Sequence, residues 1–209
     1  MKRILLAAVS AVALGIGAVA VWMALQPAPS QGPQSEYVVN AGGASIGGEF
    51  TLTDHTGETV SAGDVIDGPT LVYFGYTYCP DVCPFDTQRM VEAVTLLEER
   101  GIEVDPVFVT VDPARDDVAA VKVFAEAFHP RMTGLTGTPE QIEAAADAYK
   151  VYYEKVDAES EAGYLMNHTS FTYFMLPGSE LGAMFRNETP PQVMADEVAR
   201  VLEARGLTG

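Results

Sequence analysis

Residues 70–84 read Thr70-Leu71-Val72-Tyr73-Phe74-Gly75-Tyr76-Thr77-Tyr78-Cys79-Pro80-Asp81-Val82-Cys83-Pro84. The run through Tyr76 is apolar and aromatic without alternation, the pattern of a strand buried on both faces of a helix-covered sheet. From residue 84 to residue 100 the period lengthens. Met90, Val91, Val94 and Leu97 share one side of a helix, and Gly101 stops it. Two cysteines therefore stand where a buried strand hands over to a helix. In open α/β sheets the carboxyl ends of the strands are where ligands bind, and a helix N-terminus lowers the pKa of a nearby thiol. If the segment is helical, the four-residue spacing puts Cys79 and Cys83 on one face, their Cα atoms about 6 Å apart. A disulfide allows about 4.4–6.8 Å, so the pair can chelate an ion when reduced and cross-link when oxidised.

Working outward, a second buried strand is expected over residues 107–111 and a helix over 117–128, ending before Pro130. Thr138 caps a further helix over 138–149, with Pro139 at its first position. Strands follow at 151–156 and 171–176. Pro177-Gly178-Ser179 turns the latter into a strand at 183–185, and a helix over 190–205 closes the chain. Upstream, residues 49–53 alternate around Phe50 and Leu52. Asp54-His55-Thr56-Gly57 then turns the chain into a short strand at Val60. Strand, helix, strand, helix, then a hairpin and a last helix is the order of a thioredoxin-like α/β sandwich, here with an N-terminal β-hairpin extension.

The folded part is expected over residues 42–209. Before it, Lys2 and Arg3 precede an uncharged run of 22 residues, 4–25. As a helix this reaches about 33 Å, enough for a bilayer core of about 30 Å. A single transmembrane anchor is expected, with a signal peptide cleaved after Ala18-Val19-Ala20 as the other reading. Either way the basic residues stay in the cytoplasm and the domain is exported, facing the periplasm or its equivalent. Residues 26–41 form a linker, whose proline-rich start spans roughly 30 Å when extended.

The net charge is -17, and Lys2 and Arg3 are the only charges before Glu36. The exported part is more acidic still, which excludes nucleic-acid binding, since that rests on Lys and Arg neutralising phosphates. With only two cysteines, a disulfide-stapled scaffold is also excluded. One close pair at a strand–helix junction points to a redox or metal site.

Of three histidines, His55 lies in the hairpin turn and His129 at a helix end, both structural positions. His168 sits in Met166-Asn167-His168-Thr169-Ser170, directly before the strand at 171–176. Thioredoxin-like domains place a cis-proline loop there, packed against the cysteines. This chain has no proline there, and a metal-capable side chain stands nearby instead. Cys79, Cys83 and His168 thus form a three-ligand candidate site.

The run from Phe74 to Pro84, the segment Asp112-Pro113-Ala114-Arg115-Asp116, Leu135-Thr136-Gly137 and Asn167-His168-Thr169-Ser170 together resemble the SCO/SenC family. The resemblance runs from about residue 47 to the last helix. It departs in Ala114, where the family often has Glu, and in Thr169, where it often has Ser. It implies a thioredoxin-like domain holding one copper ion through Cys79, Cys83 and His168. The implied role is a metallochaperone, not an enzyme, for the copper centre of cytochrome c oxidase. The implied partner is that oxidase's copper-carrying subunit, met by a membrane-tethered monomer. Two thiolates and an imidazole suit Cu(I), and with one more oxygen or nitrogen donor Cu(II). Zinc fits the ligand types but usually takes four. The segment 112–116 is expected to form a turn with an internal ion pair.

The alternative is a thiol–disulfide oxidoreductase whose Cys79 and Cys83 thiols, becoming a redox-active disulfide, keep a partner's copper-ligating cysteines reduced. Dedicated reductases of this fold carry C-x-x-C and the cis-proline, and this chain has neither. Thiol peroxidases place a threonine three residues before the reactive cysteine, whereas Thr77 is two before Cys79.

Overall fold

Residues 34–39, 45–157 and 163–207 are described by the computed structural model, and its central strand is β3 (Thr70–Gly75), every residue of which is buried. Helix α1 (Val82–Glu98) follows and returns the chain into β4 (Asp105–Thr110), parallel to β3 with Tyr73 abreast of Phe108. Helix α2 (Val118–Phe128) leads to β5 (Thr133–Thr136), parallel to β4. On the other side of β3 lie β8 (Thr172–Leu176) and β9 (Glu180–Phe185), both antiparallel to their neighbours. The hairpin β1 (Thr51–Asp54) and β2 (Thr59–Ser61) joins the far edge through β5, giving the sheet order β2-β1-β5-β4-β3-β8-β9. The expected order of elements holds, with the N-terminal hairpin as part of the main sheet.

Alternation along the strands divides the core in two. On one face Phe108 meets Phe124 of α2 at 4.3 Å between ring centroids, and Phe124 meets Phe128 at 4.7 Å. Helix α1 lies on this face against α4 (Pro191–Arg205), with Arg100 paired to Asp196 at 2.9 Å. On the other face Tyr149, at the end of α3 (Pro139–Tyr149), packs on Phe74 at 5.1 Å and Tyr173 at 5.4 Å. Each such ring contributes about 1.5–3 kcal/mol through burial. The start of α3 is as the sequence indicates: Thr138 and Gln141 close a reciprocal capping box, with Pro139 at the first position.

Two strands depart from the sequence reading. The sequence pattern does not mark β5, because Gly134 interrupts it. A Cβ there would lie 2.7 Å from the carbonyl oxygen of Val121, so glycine is what lets α2 approach the sheet. The second departure concerns the site. The sequence pattern marks no strand between 156 and 171, but β7 (Tyr164–His168) pairs antiparallel with β6 (Tyr153–Asp157) as a separate two-stranded sheet. His168 therefore ends a strand, opposite Tyr153.

The expected anchor or signal segment and residues 26–33, 40 and 41 of the expected linker lie outside the described residues. Within the rest of that stretch, Gln34–Tyr37 forms a helical turn. Val38 then bridges to Phe185, and Val39 N–H donates to the Met184 carbonyl at 2.8 Å. Among the described residues, no helix is long and apolar enough to cross a membrane.

Candidate metal site

Beyond Gly75 the chain makes a tight turn, in which the Cys79 N–H donates to the Tyr76 carbonyl at 3.2 Å. Asp116, itself buried, braces this turn from below. Its carboxylate accepts the Thr77 N–H at 2.8 Å and the hydroxyls of Thr77 and Thr110 at 2.6 Å each. Burial pushes its carboxyl pKa up, against the pull of those bonds.

The two cysteines do not share a helical face. Pro80 offers no donor and Asp81 has the non-helical angles φ -144° and ψ -83°, so α1 begins only at Val82. Cys79 lies ahead of the helix, and its sulfur accepts the Cys83 N–H at 3.3 Å. This is where unpaired helix N–H groups and the positive end of the dipole favour a thiolate. Cys83, in the first turn, is wholly buried, whereas Cys79 is partly exposed, and both are free thiols. The close fit needs Gly75, because a Cβ there would stand 3.2 Å from the Cys83 sulfur and 2.9 Å from the Tyr73 ring.

β7 brings His168 to the same point. Its Nδ1 lies 3.1 Å from the Thr169 carbonyl oxygen, and its Nε2 lies 3.2 Å from Cys83 Sγ. A carbonyl only accepts, so Nδ1 carries the ring hydrogen and Nε2 turns its lone pair to the sulfur. The rings of Tyr73 and Tyr76 flank the imidazole edge-on, at 6.3 Å and 84° and at 5.9 Å and 88°.

The pair of thiols is strongly polarised. A hydrogen bond from the Cys83 side chain lowers the Cys79 pKa to about 3 against the opposing effect of burial, aided by the Cys83 and Asp81 amides. The same bond and burial push the Cys83 thiol up. At neutral pH one proton remains between the two sulfurs, and it belongs to Cys83.

Two soft sulfur donors and an imidazole lone pair thus converge, with Tyr76, Cys79, Pro80, Met166 and His168 lining an open cleft of about 260 Å³. The Sγ–Nε2 separation is that of a hydrogen bond. Two such ligands on one ion stand about 3.6 Å apart, from bond lengths near 2.3 and 2.0 Å. An ion enters only when the Cys83 proton leaves and the side chains part by a few tenths of an ångström. In keeping with this closed state, among the described residues no three His, Cys, Asp or Glu side chains stand ready-spaced for a metal.

His55 and His129 lie elsewhere. His55 Nδ1 accepts the Gly134 N–H at 3.2 Å, and His129 Nδ1 accepts the Arg131 N–H at 3.2 Å. Asp81 precedes α1 as a turn residue with no side-chain cap bond. In segment 112–116 the expected internal pair is Arg115 Nε to Asp112 Oδ2, at 2.5 Å. The bracing role of Asp116 was not foreseen. Its partner Thr77 is 39 residues away, and only the recurrence of the segment in the resemblance singled it out.

The sequence profile of the SCO1/SenC family matches residues 39–203. The chain is 47% identical over 161 residues to Protein SenC of Rhodobacter capsulatus, covering 77% of this chain and 72% of that one. Among solved structures, Arabidopsis thaliana ScoI with copper bound superposes with a TM-score of 0.73 at 35% identity, covering 76% of this chain and 99% of that one. BsSco, described as a member of the Sco family of cytochrome c oxidase assembly proteins with a disulfide switch, matches with a TM-score of 0.60. Its identity is 25%, over 78% of this chain and 95% of that one.

Proposed function

The chain belongs to the SCO1/SenC family, and from that premise we propose that it is a copper chaperone for cytochrome c oxidase assembly, with Cys79, Cys83 and His168 as copper ligands. The observation that carries the reading is the convergence of Cys79, Cys83 and the lone-pair side of His168, with Cys79 and His168 lining an open cleft and Cys83 buried behind them. The copper-bound state of Arabidopsis ScoI supports the choice of ion.

Copper is the cargo here. Cys79 offers a thiolate ready to bind, and Cys83 gives up its proton as the ion arrives, so loading releases about one proton per copper. The Nδ1–H bond to Thr169 holds the imidazole in the tautomer that presents Nε2. Because Cys79 is partly exposed while Cys83 is buried, an incoming donor meets Cys79 first and can take the ion by stepwise ligand exchange. All three donors come from one chain, so the site works in a monomer. The run at 4–25 and the basic Lys2 and Arg3 support a single-pass anchor in the cytoplasmic membrane, with the site facing the periplasm or its equivalent.

The second reading, a reductase for the copper-ligating thiols of the oxidase's copper-carrying subunit, is favoured by the ionised Cys79 beside the protonated Cys83. Cys79 would attack the partner's disulfide and Cys83 would resolve the mixed disulfide. That chemistry does not need His168. Native mass spectrometry of the full-length reduced protein separates the readings. One retained copper, preferred over zinc, is expected, and retention of no copper or preference for zinc would overturn the proposal.

A further inference from the structure

The β6–β7 hairpin carries His168 yet, among the described residues, makes no strand pairing with the seven-stranded sheet. Contacts other than sheet pairing must therefore fix its distance from the cysteines. Tyr164, Met166 and His168 share one face of β7, because side chains alternate along a strand. All three meet the body of the domain. His168 meets Cys83, Met166 packs against the core, and Tyr164 meets Asp112 and Arg115.

The Tyr164 contact is the most elaborate. Its hydroxyl donates to Asp112 Oδ1 at 2.9 Å, and its carbonyl oxygen accepts from an Arg115 terminal nitrogen at 3.1 Å. The Arg115 guanidinium lies 3.6 Å from the centroid of the Tyr164 ring. The same guanidinium lies 4.9 Å from the Tyr78 ring and 5.7 Å from that of Tyr76, in the turn that holds Cys79. Asp112 Oδ2 fixes its orientation through Nε, and the side chains of Arg115 and Asp112 are only 14% and 4% exposed. One cation thus touches both the cysteine turn and the histidine hairpin, at a point about 14 Å along β7 from His168.

We infer that Arg115, oriented by Asp112, is a positioning residue for His168. It ties the hairpin to the Cys79 turn and so sets the distance between imidazole and thiols. The inference rests on the ligand role proposed for His168 and assigns Arg115 no contact with the metal. Lysine cannot replace it, since the planar fork both stacks on Tyr164 and donates in two directions.

The test uses the full-length protein and begins without metal. Arg115→Lys and Tyr164→Leu are each expected to speed amide hydrogen exchange in β6 and β7 roughly tenfold, with β3 and β4 unchanged. Tyr164→Phe, which keeps the ring, is expected to have a smaller effect. Next, Cu(I) affinity is measured by competition with a chromophoric chelator. Arg115→Lys is expected to weaken binding about tenfold in the wild-type background and to have no effect once His168→Ala is present. Unchanged hairpin exchange, or an equal loss with and without His168, would overturn the inference. If the wild type binds no copper, the functional reading falls, while the metal-free exchange still decides whether Arg115 holds the hairpin.

Discussion

Cys83 Sγ lies 3.2 Å from Nε2 of His168, joining the first turn of α1 to the end of β7 across 85 residues of sequence. Because Nδ1 of the same ring faces the Thr169 carbonyl, Nε2 presents its lone pair on the side of Cys83, whose single proton is hydrogen-bonded to Cys79. Cys79 is left as the ionised partner. This single placement of the proton governs the redox, metal and pH behaviour of the site.

Cys79 is therefore expected to react with iodoacetamide at a nearly constant rate from pH 5 to pH 8, while buried Cys83 reacts slowly. Its pKa is depressed to about 3 from the ordinary thiol value of 9.0. The stability that its thiolate contributes is full above that ordinary value and is lost as pH falls through the folded one. The difference in melting temperature between wild type and Cys79→Ser should accordingly shrink from pH 8 to pH 4. A rate for Cys79 that climbs tenfold per pH unit up to pH 8 would contradict the assignment.

Copper and a Cys79–Cys83 disulfide are expected to be alternative states of one site, since thiolates bind the ion and a disulfide does not. Oxidised metal-free protein with no free thiols should take up no copper until reductant is added. Bound copper should in turn slow oxidation. Equal copper affinity before and after reduction would place the metal away from the cysteines.

Asp116→Ala removes the acceptor for three bonds that hold the turn before Cys79. The orphaned donors should cost about 3 kcal/mol in urea unfolding, while Asp116→Asn, which keeps one acceptor oxygen, should cost less. Unfolding midpoints that match wild type for both variants would show that the turn stands without this brace.

Gly75→Ala puts a methyl group 2.9 Å from Tyr73, 3.0 Å from Phe108 and 3.2 Å from the Cys83 sulfur. Overpacking at this point should cost about 1–3 kcal/mol and move Cys83 relative to His168. Thermal unfolding measures the first effect, and the shift of the His168 ring resonances the second. An unchanged melting temperature with unchanged resonances would mean that the space is larger than the geometry indicates.

Legibility in the sequence followed how local each cause is. β3 announced itself because six consecutive buried positions leave no polar alternation, and α3 because its cap and first proline are neighbours in sequence. β5 was hidden by Gly134, whose presence answers to a helix packed over it. β7 was hidden for another reason. Its inner face is only partly buried and its strand partner among the described residues is the largely exposed β6, so neither a continuous run nor a clean alternation marks it. The cysteines were evident from their place after β3, although Pro80 and Asp81 delay the helix and leave Cys79 outside it. His168 was reached through the fold and the resemblance. Asp116 and the stacking of Arg115 on Tyr164 depend on contacts 39 and 49 residues away, beyond any local pattern.

The most direct measurement is Cu(I) titration of the full-length reduced protein against a competing chelator, comparing wild type with Cys79→Ser, Cys83→Ser, His168→Ala and His55→Ala. The expected result is one copper per chain in wild type and in His55→Ala. Affinity should fall at least tenfold in His168→Ala, where the site drops to two donors, and further in either serine variant. His168→Ala binding copper as tightly as wild type, or His55→Ala losing it, would contradict the assignment of the site.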